Sequence, residues 1–100
     1  MADLAYIKLD DSAVVSELAQ LPGWELVDGE ISKTFAFGAY LDGARFALRV
    51  AEIAENLDHH PNISIGWRKV TVSVNTHAVN GISPYDFELA RRIEAGLSAD

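Results

Sequence analysis

The spacing of apolar positions changes several times along the chain, and each change marks an element. Val14, Leu18 and Leu21 recur at helical intervals within residues 12–21, with Asp10 or Asp11 ahead as an N-cap and Pro22-Gly23 behind as a stop, so a short amphipathic helix is predicted. Residues 24–27 and 30–37 flank Asp28-Gly29, a favoured two-residue turn, and read as a hairpin. Ile31, Phe35 and Phe37 share one face of its second strand, where Lys33 is the exception.

From about residue 39 to 56 the helical period returns, with Phe46, Val50, Ile53 and Leu57 on one stripe and Arg45, Arg49 and Glu52 largely off it. Pro61 disfavours helical backbone at His60, so this helix is expected to finish close to Asp58 or His59. Beyond it, Ile63, Ile65 and Trp67 alternate with polar or small residues. After a turn near Arg68, Val70, Val72 and Val74 alternate with Thr71, Ser73 and Asn75, giving a second hairpin. The valines are expected to face the helices, Trp67 reads as core in phase with Ile63 and Ile65, and His77, if still in the strand, falls on the polar face. Ser83-Pro84-Tyr85-Asp86 combines an N-cap serine, a proline at the first helical position and an acid in the first turn. Phe87, Ala90, Ile93 and Leu97 then supply a buried stripe. The order α-β-β-α-β-β-α suits an α+β fold, a four-stranded antiparallel sheet with helices packed on one face.

Composition narrows the function classes. At 100 residues and 49% apolar content, residues 1–100 are expected to form a single domain, its ordered unit running from about Tyr6 to Leu97. The formal charge of −7 leaves no basic face to replace phosphate counterions, so direct nucleic-acid binding is not expected. There is no cysteine, which removes disulfides, thiolate nucleophiles and Cys-ligated zinc. Neither a basic start followed by an apolar run nor a membrane-length apolar segment occurs, so no membrane association is expected and a cytoplasmic location is the default.

All three histidines, His59, His60 and His77, fall within nineteen positions in the second half of the chain, the first two inside Glu55-Asn56-Leu57-Asp58-His59-His60-Pro61. Imidazole gives and takes protons near neutral pH, so these rings are the candidate acid/base groups. At a helix-to-strand corner, His59 and His60 can flank one small ligand from different directions. Glu55, one helical turn before His59, is expected to orient that ring, with Asp58 adding negative charge. Capping alone accounts for Asp86, and Glu55 taken singly reads as an exposed helix residue. Three imidazoles and a carboxylate could suit zinc, but there is no His-Glu-x-x-His pair and adjacent histidines seldom both reach one ion, so no metal is expected. No Gly-x-x-x-x-Gly-Lys or Gly-x-Ser-x-Gly segment occurs.

The run Glu55, three residues, His59-His60-Pro61, five residues, Trp67, nine residues, His77, eight residues, Asp86 resembles the signature of the pterin-4a-carbinolamine dehydratases. The Trp24 hairpin and the Phe35-x-Phe37 strand extend the similarity over nearly the whole chain. The resemblance implies the same α+β fold, and a metal-independent dehydratase that converts 4a-hydroxytetrahydropterin to quinonoid dihydropterin and water in recycling of the hydroxylase cofactor. The pterin would be substrate, with no further cofactor. By position, His59 and His77 would be acids and His60 the base that collects the N5 proton. Glu55, Asp58, Trp67, Asp86 and the segment of Ser73, Asn75 and Thr76 would contact the pterin. The resemblance also implies a homodimer or homotetramer. Its alternatives are a non-catalytic pterin-binding module and a dimerisation or transcriptional coactivator partner. The chain keeps the third histidine, but Asn62-Ile63 stands where animal members carry an aromatic residue after His-His-Pro.

Overall fold

A computed structural model describes residues 4–98. Helix α1 (Asp11–Leu18) starts where Asp10, in extended backbone, accepts the Ala13 N–H at 2.8 Å, satisfying one of the first-turn donors. Strands β1 (Glu25–Val27) and β2 (Glu30–Ala36) meet at Asp28 and Gly29, whose φ values of 50° and 79° match the twist of a tight hairpin. Helix α2 (Tyr40–Leu57) follows, then β3 (Asn62–Gly66), β4 (Lys69–Val74) and helix α3 (Pro84–Ser98). The strands form one antiparallel sheet in the order β1-β2-β4-β3. The expected α+β order is therefore the observed one.

The period-two alternation of β4 sorts its faces as expected. Val70, Val72 and Val74 are buried against the helices, while Thr71 and Ser73 face away and share hydroxyl contacts of 2.8 Å with Thr34 and Ser32 on β2. From α2, Phe46, Val50 and Ala54 enter the same core, and from α3, Phe87, Leu89, Ala90 and Ile93. Lys33 sits on the buried face because its ammonium finds acceptors there, the Pro22 carbonyl and the Glu94 carboxylate, each at 3.0 Å. No helix among the described residues is long and apolar enough to cross a membrane.

Three local expectations are corrected. Trp67 is not core. β3 stops at Gly66, and Trp67 with Arg68, at φ 57°, makes the hairpin turn; the indole is 71% exposed under the Arg68 guanidinium. Leu97, placed on the buried stripe of α3, is 36% exposed near the helix end. His77 is not in a strand either. Thr76 forms an isolated bridge with Gly81, and His77 opens a single 3-10 turn, His77–Val79, so period-two alternation no longer applies to it.

Candidate active site

The geometry around the histidines starts with the end of α2. Asp58 adopts left-handed backbone (φ 56°), the Asp58 N–H donates to the Glu55 carbonyl at 3.2 Å, and the His59 N–H reaches back to the Ala54 carbonyl at 3.0 Å. This is a Schellman closure with aspartate in the position usually taken by glycine. It reverses the chain direction, so His59 no longer follows the helical face of Glu55. The ring of His59 turns inward and is 8% exposed, whereas His60, held extended by Pro61, stays in solvent.

Asp86 meets His59 from the other side of the fold. Ser83 caps α3, its Oγ accepting the Tyr85 N–H at 3.2 Å, while Asp86 Oδ2 accepts the Ser83 N–H at 2.9 Å. That is a capping box with aspartate replacing the usual glutamate. The carboxylate does more than cap. Oδ2 also accepts the Thr76 hydroxyl at 2.8 Å, and Oδ1 lies 2.6 Å from His59 Nε2. A carboxylate only accepts, so His59 presents its Nε2–H, and Thr76 spends its single proton on Asp86. The Ser83 hydroxyl, 2.7 Å from Thr76 Oγ1, must then donate to it. Asp86, Ser83, Thr76 and His59 are all buried, and no buried side-chain nitrogen or oxygen among the described residues lacks a partner.

His60 Nε2 contacts the Glu55 carboxylate, and both side chains are exposed. The expected pairing is thus exchanged: Glu55 serves His60, and Asp86 orients His59. His77 is exposed, and its ring makes no hydrogen bond among the described residues, although the preceding Thr76 belongs to the buried network. Ser73 bonds Ser32 on the open sheet face, and Asn75 borders a cavity of about 290 Å³ with Lys8, Leu26 and Asp28. Trp67 lies beyond β3, the whole strand away from His60-Pro61. Asp58 is exposed and acts through its backbone. In the sequence Ser83 stands out only as a cap and nothing marks Tyr85, whose ring centroid lies 5.6 Å from that of His59. The Ser83-x-x-Asp86 spacing was the available signal for the first.

The site thus holds one buried carboxylate–imidazole pair, His59 with Asp86, beside one exposed pair, His60 with Glu55, on a small α+β scaffold. The chain belongs to the pterin-4a-carbinolamine dehydratase family: the sequence profile described as Pterin 4 alpha carbinolamine dehydratase matches residues 7–96. A protein of Mycobacterium sp. (strain KMS), provisionally named pterin-4-alpha-carbinolamine dehydratase, is 45% identical over 86% of this chain and 92% of its own length. One of the same provisional name from Thermosynechococcus vestitus is 40% identical over 86% and 90%. Among solved structures, a transcriptional coactivator/pterin dehydratase from Brucella melitensis superposes with a TM-score of 0.83 at 33% identity, covering 88% of this chain and 96% of that one. A pterin dehydratase-like protein identified as a RuBisCO assembly factor in the alpha-carboxysome gives 0.58 at 26% identity, covering 72% and 83%.

Proposed function

We propose that this protein dehydrates a 4a-hydroxytetrahydropterin to the quinonoid dihydropterin. The observation that carries the reading is the buried His59–Asp86 pair, with Nε2 and Oδ1 2.6 Å apart, next in sequence to the exposed His60–Glu55 pair. The substrate is a hemiaminal. Its N5 lone pair expels the 4a-hydroxyl as the C4a–O bond breaks and C4a=N5 forms, provided an acid protonates the departing oxygen and a base takes the N5 proton. His59 donates its Nε2–H in a hydrogen bond to Asp86, so the proton it gives to the departing oxygen as acid is carried on Nδ1, and the ring returns to its neutral form. Glu55 holds His60 Nε2 in the same way, which leaves His60 Nδ1 as the base. In this reading His77 is the second acid, serving the opposite face of the ring, and Ser73, Asn75, Thr76 and Trp67 complete the set of pterin contacts.

The reaction is metal-independent in this reading: imidazoles supply the proton transfers, and the described residues bring together no group of three or more His, Asp or Glu side chains that could hold an ion. The pterin is the substrate, the compartment the cytoplasm, and the working form a homo-oligomer. For the last, Leu41 and Leu48 support the reading, exposed on the outer side of α2 at 55% and 63%. A dimerisation or coactivator role would use that same helix face without turnover.

The test is dehydration of chemically generated 4a-hydroxytetrahydropterin, followed by ultraviolet absorbance with and without a chelator. His60→Ala is expected to lose about 10²–10⁴-fold, and His59→Ala or His77→Ala less, because either acid can partly replace the other. Losses under tenfold at all three positions, or no acceleration by the wild type, would sink the proposal.

A further inference from the structure

Burial separates His59 from the other histidines, and the cover comes from residues that the motif leaves unspecified. Tyr85 and Asp86 are consecutive in the first turn of α3, where side chains diverge by about 100°. One of the two therefore reaches the edge of the His59 imidazole and the other its ring: Asp86 binds Nε2 at 2.6 Å, and Tyr85 lies against the ring at a centroid distance of 5.6 Å and an interplanar angle of 39°. Tyr6 then stacks on Tyr85, with centroids 4.3 Å apart and rings within 16° of parallel. The segment carrying Tyr6 is tied down by the Leu9 N–H, which donates to the Ile82 carbonyl at 2.8 Å, just before the Ser83 cap. Tyr6 is 53% exposed, yet its hydroxyl is held above the usual tyrosine range, first by desolvation and then by the neighbouring charges of Tyr85 and Asp58. Trp67 is turned to solvent at the far end of β3. Among the described residues, Tyr85, and through it Tyr6, are the aromatic rings that reach a site histidine.

We propose that the Tyr6–Tyr85 stack is a positioning device for His59, an aromatic cover that keeps water from the Nε2–H···Oδ1 bond to Asp86 and so fixes the ring's orientation. A hydrogen bond in a dry, low-dielectric pocket is stronger and better aligned than one open to solvent. The ring of Tyr85 matters for this and its hydroxyl does not. The link from cover to turnover rests on the proposed dehydratase reading, whereas the link from cover to hydrogen bond stands without it.

Proton NMR of the intact protein gives the direct readout. The His59 Nε2 proton is expected downfield, in slow exchange with water. Tyr85→Phe should keep that signal, Tyr85→Ala should exchange it at least about tenfold faster, and Tyr6→Ala about threefold faster. In dehydration assays, Tyr85→Ala should lower kcat about tenfold with KM within about twofold, while Tyr85→Phe restores kcat to within about twofold of wild type. Equally slow exchange in Tyr85→Ala and wild type would overturn the proposal. So would equal losses in Tyr85→Phe and Tyr85→Ala, which would assign the effect to the hydroxyl. If Tyr85→Ala does not fold, Tyr6→Ala on the exposed arm decides by the same exchange rate: faster supports the cover, unchanged overturns it. A wild type without dehydration activity would defeat the dehydratase reading while the exchange rates still judged the stack.

Discussion

Asp86 has no solvent to share its charge with, so the donors around it must hold it. Those donors are the Ser83 N–H, the Thr76 hydroxyl and His59 Nε2–H, drawn from the α3 cap, the end of β4 and the end of α2. Removing the carboxylate leaves the Ser83 N–H and His59 Nε2–H buried without their acceptor, and the Thr76 hydroxyl with only Ser83 Oγ to turn to. Asp86→Ala is therefore expected to cost about 3–5 kcal/mol, measured by urea denaturation, since breaking a buried pair strands the remaining partners. Asp86→Asn should cost less stability, because an amide oxygen can still accept the Ser83 N–H and the Thr76 hydroxyl. Its NH₂ group would then face His59 and require the opposite tautomer. Its kcat is therefore expected to fall about tenfold, no further than that of His59→Ala, even where the protein melts normally, and an Asn variant with wild-type kcat would remove His59 from the chemistry. Glu55 and His60 have no such leverage on stability, both being exposed, and Glu55→Gln should act on rate alone.

At the scale of elements, the turn that separates the two histidines is a backbone event at Asp58. Left-handed backbone strains residues that carry a Cβ and leaves glycine, which has none, unstrained; among the former, aspartate and asparagine tolerate it best. Asp58→Gly is expected to raise stability by about 0.5–1 kcal/mol and to leave His59 buried, whereas Asp58→Ala should lower it by a similar amount. Thermal melts of the two variants check the sign. This is also where sequence reasoning reached its limit. The helix end was legible because Pro61 constrains only its neighbour, and β4 was legible because Val70, Val72 and Val74 alternate without interruption. The pairing of His59 was not legible. The i, i+4 rule that assigned Glu55 to it holds only while the helix continues, and the true partner lies 27 residues later in the chain. Asp86 itself was visible, but only as a cap, because a capping box is satisfied locally and gives no sign that the second carboxylate oxygen is bound elsewhere. Trp67 misled for a related reason: it continues the alternation of Ile63 and Ile65 by one position past the point where the strand becomes a turn.

For the whole molecule, the question is what covers the outer side of α2. Its inner stripe, Phe46, Val50 and Ala54, belongs to the core, so a helix on the surface of a lone domain would carry polar residues opposite. Instead Leu41 and Leu48, seven residues apart and hence on one face, are more than half exposed, with Ala44 and Ala51 completing the row between and beyond them. A second copy is the occupant that the proposed homo-oligomer supplies. Charge works against it, since each chain carries a formal −7, so apolar contact must drive the association and added salt should strengthen it by screening the repulsion. Leu48→Glu removes apolar area and adds repulsion at the same point. It is expected to lower the mass measured by light scattering by at least half, most completely at about 20 mM salt, where the Debye length is longest. Its circular dichroism should match wild type, because Leu48 takes no part in the core. If the mass is unchanged at every salt concentration, assembly uses another surface, and the unpaired outer edges of β1 and β3 become the place to substitute next.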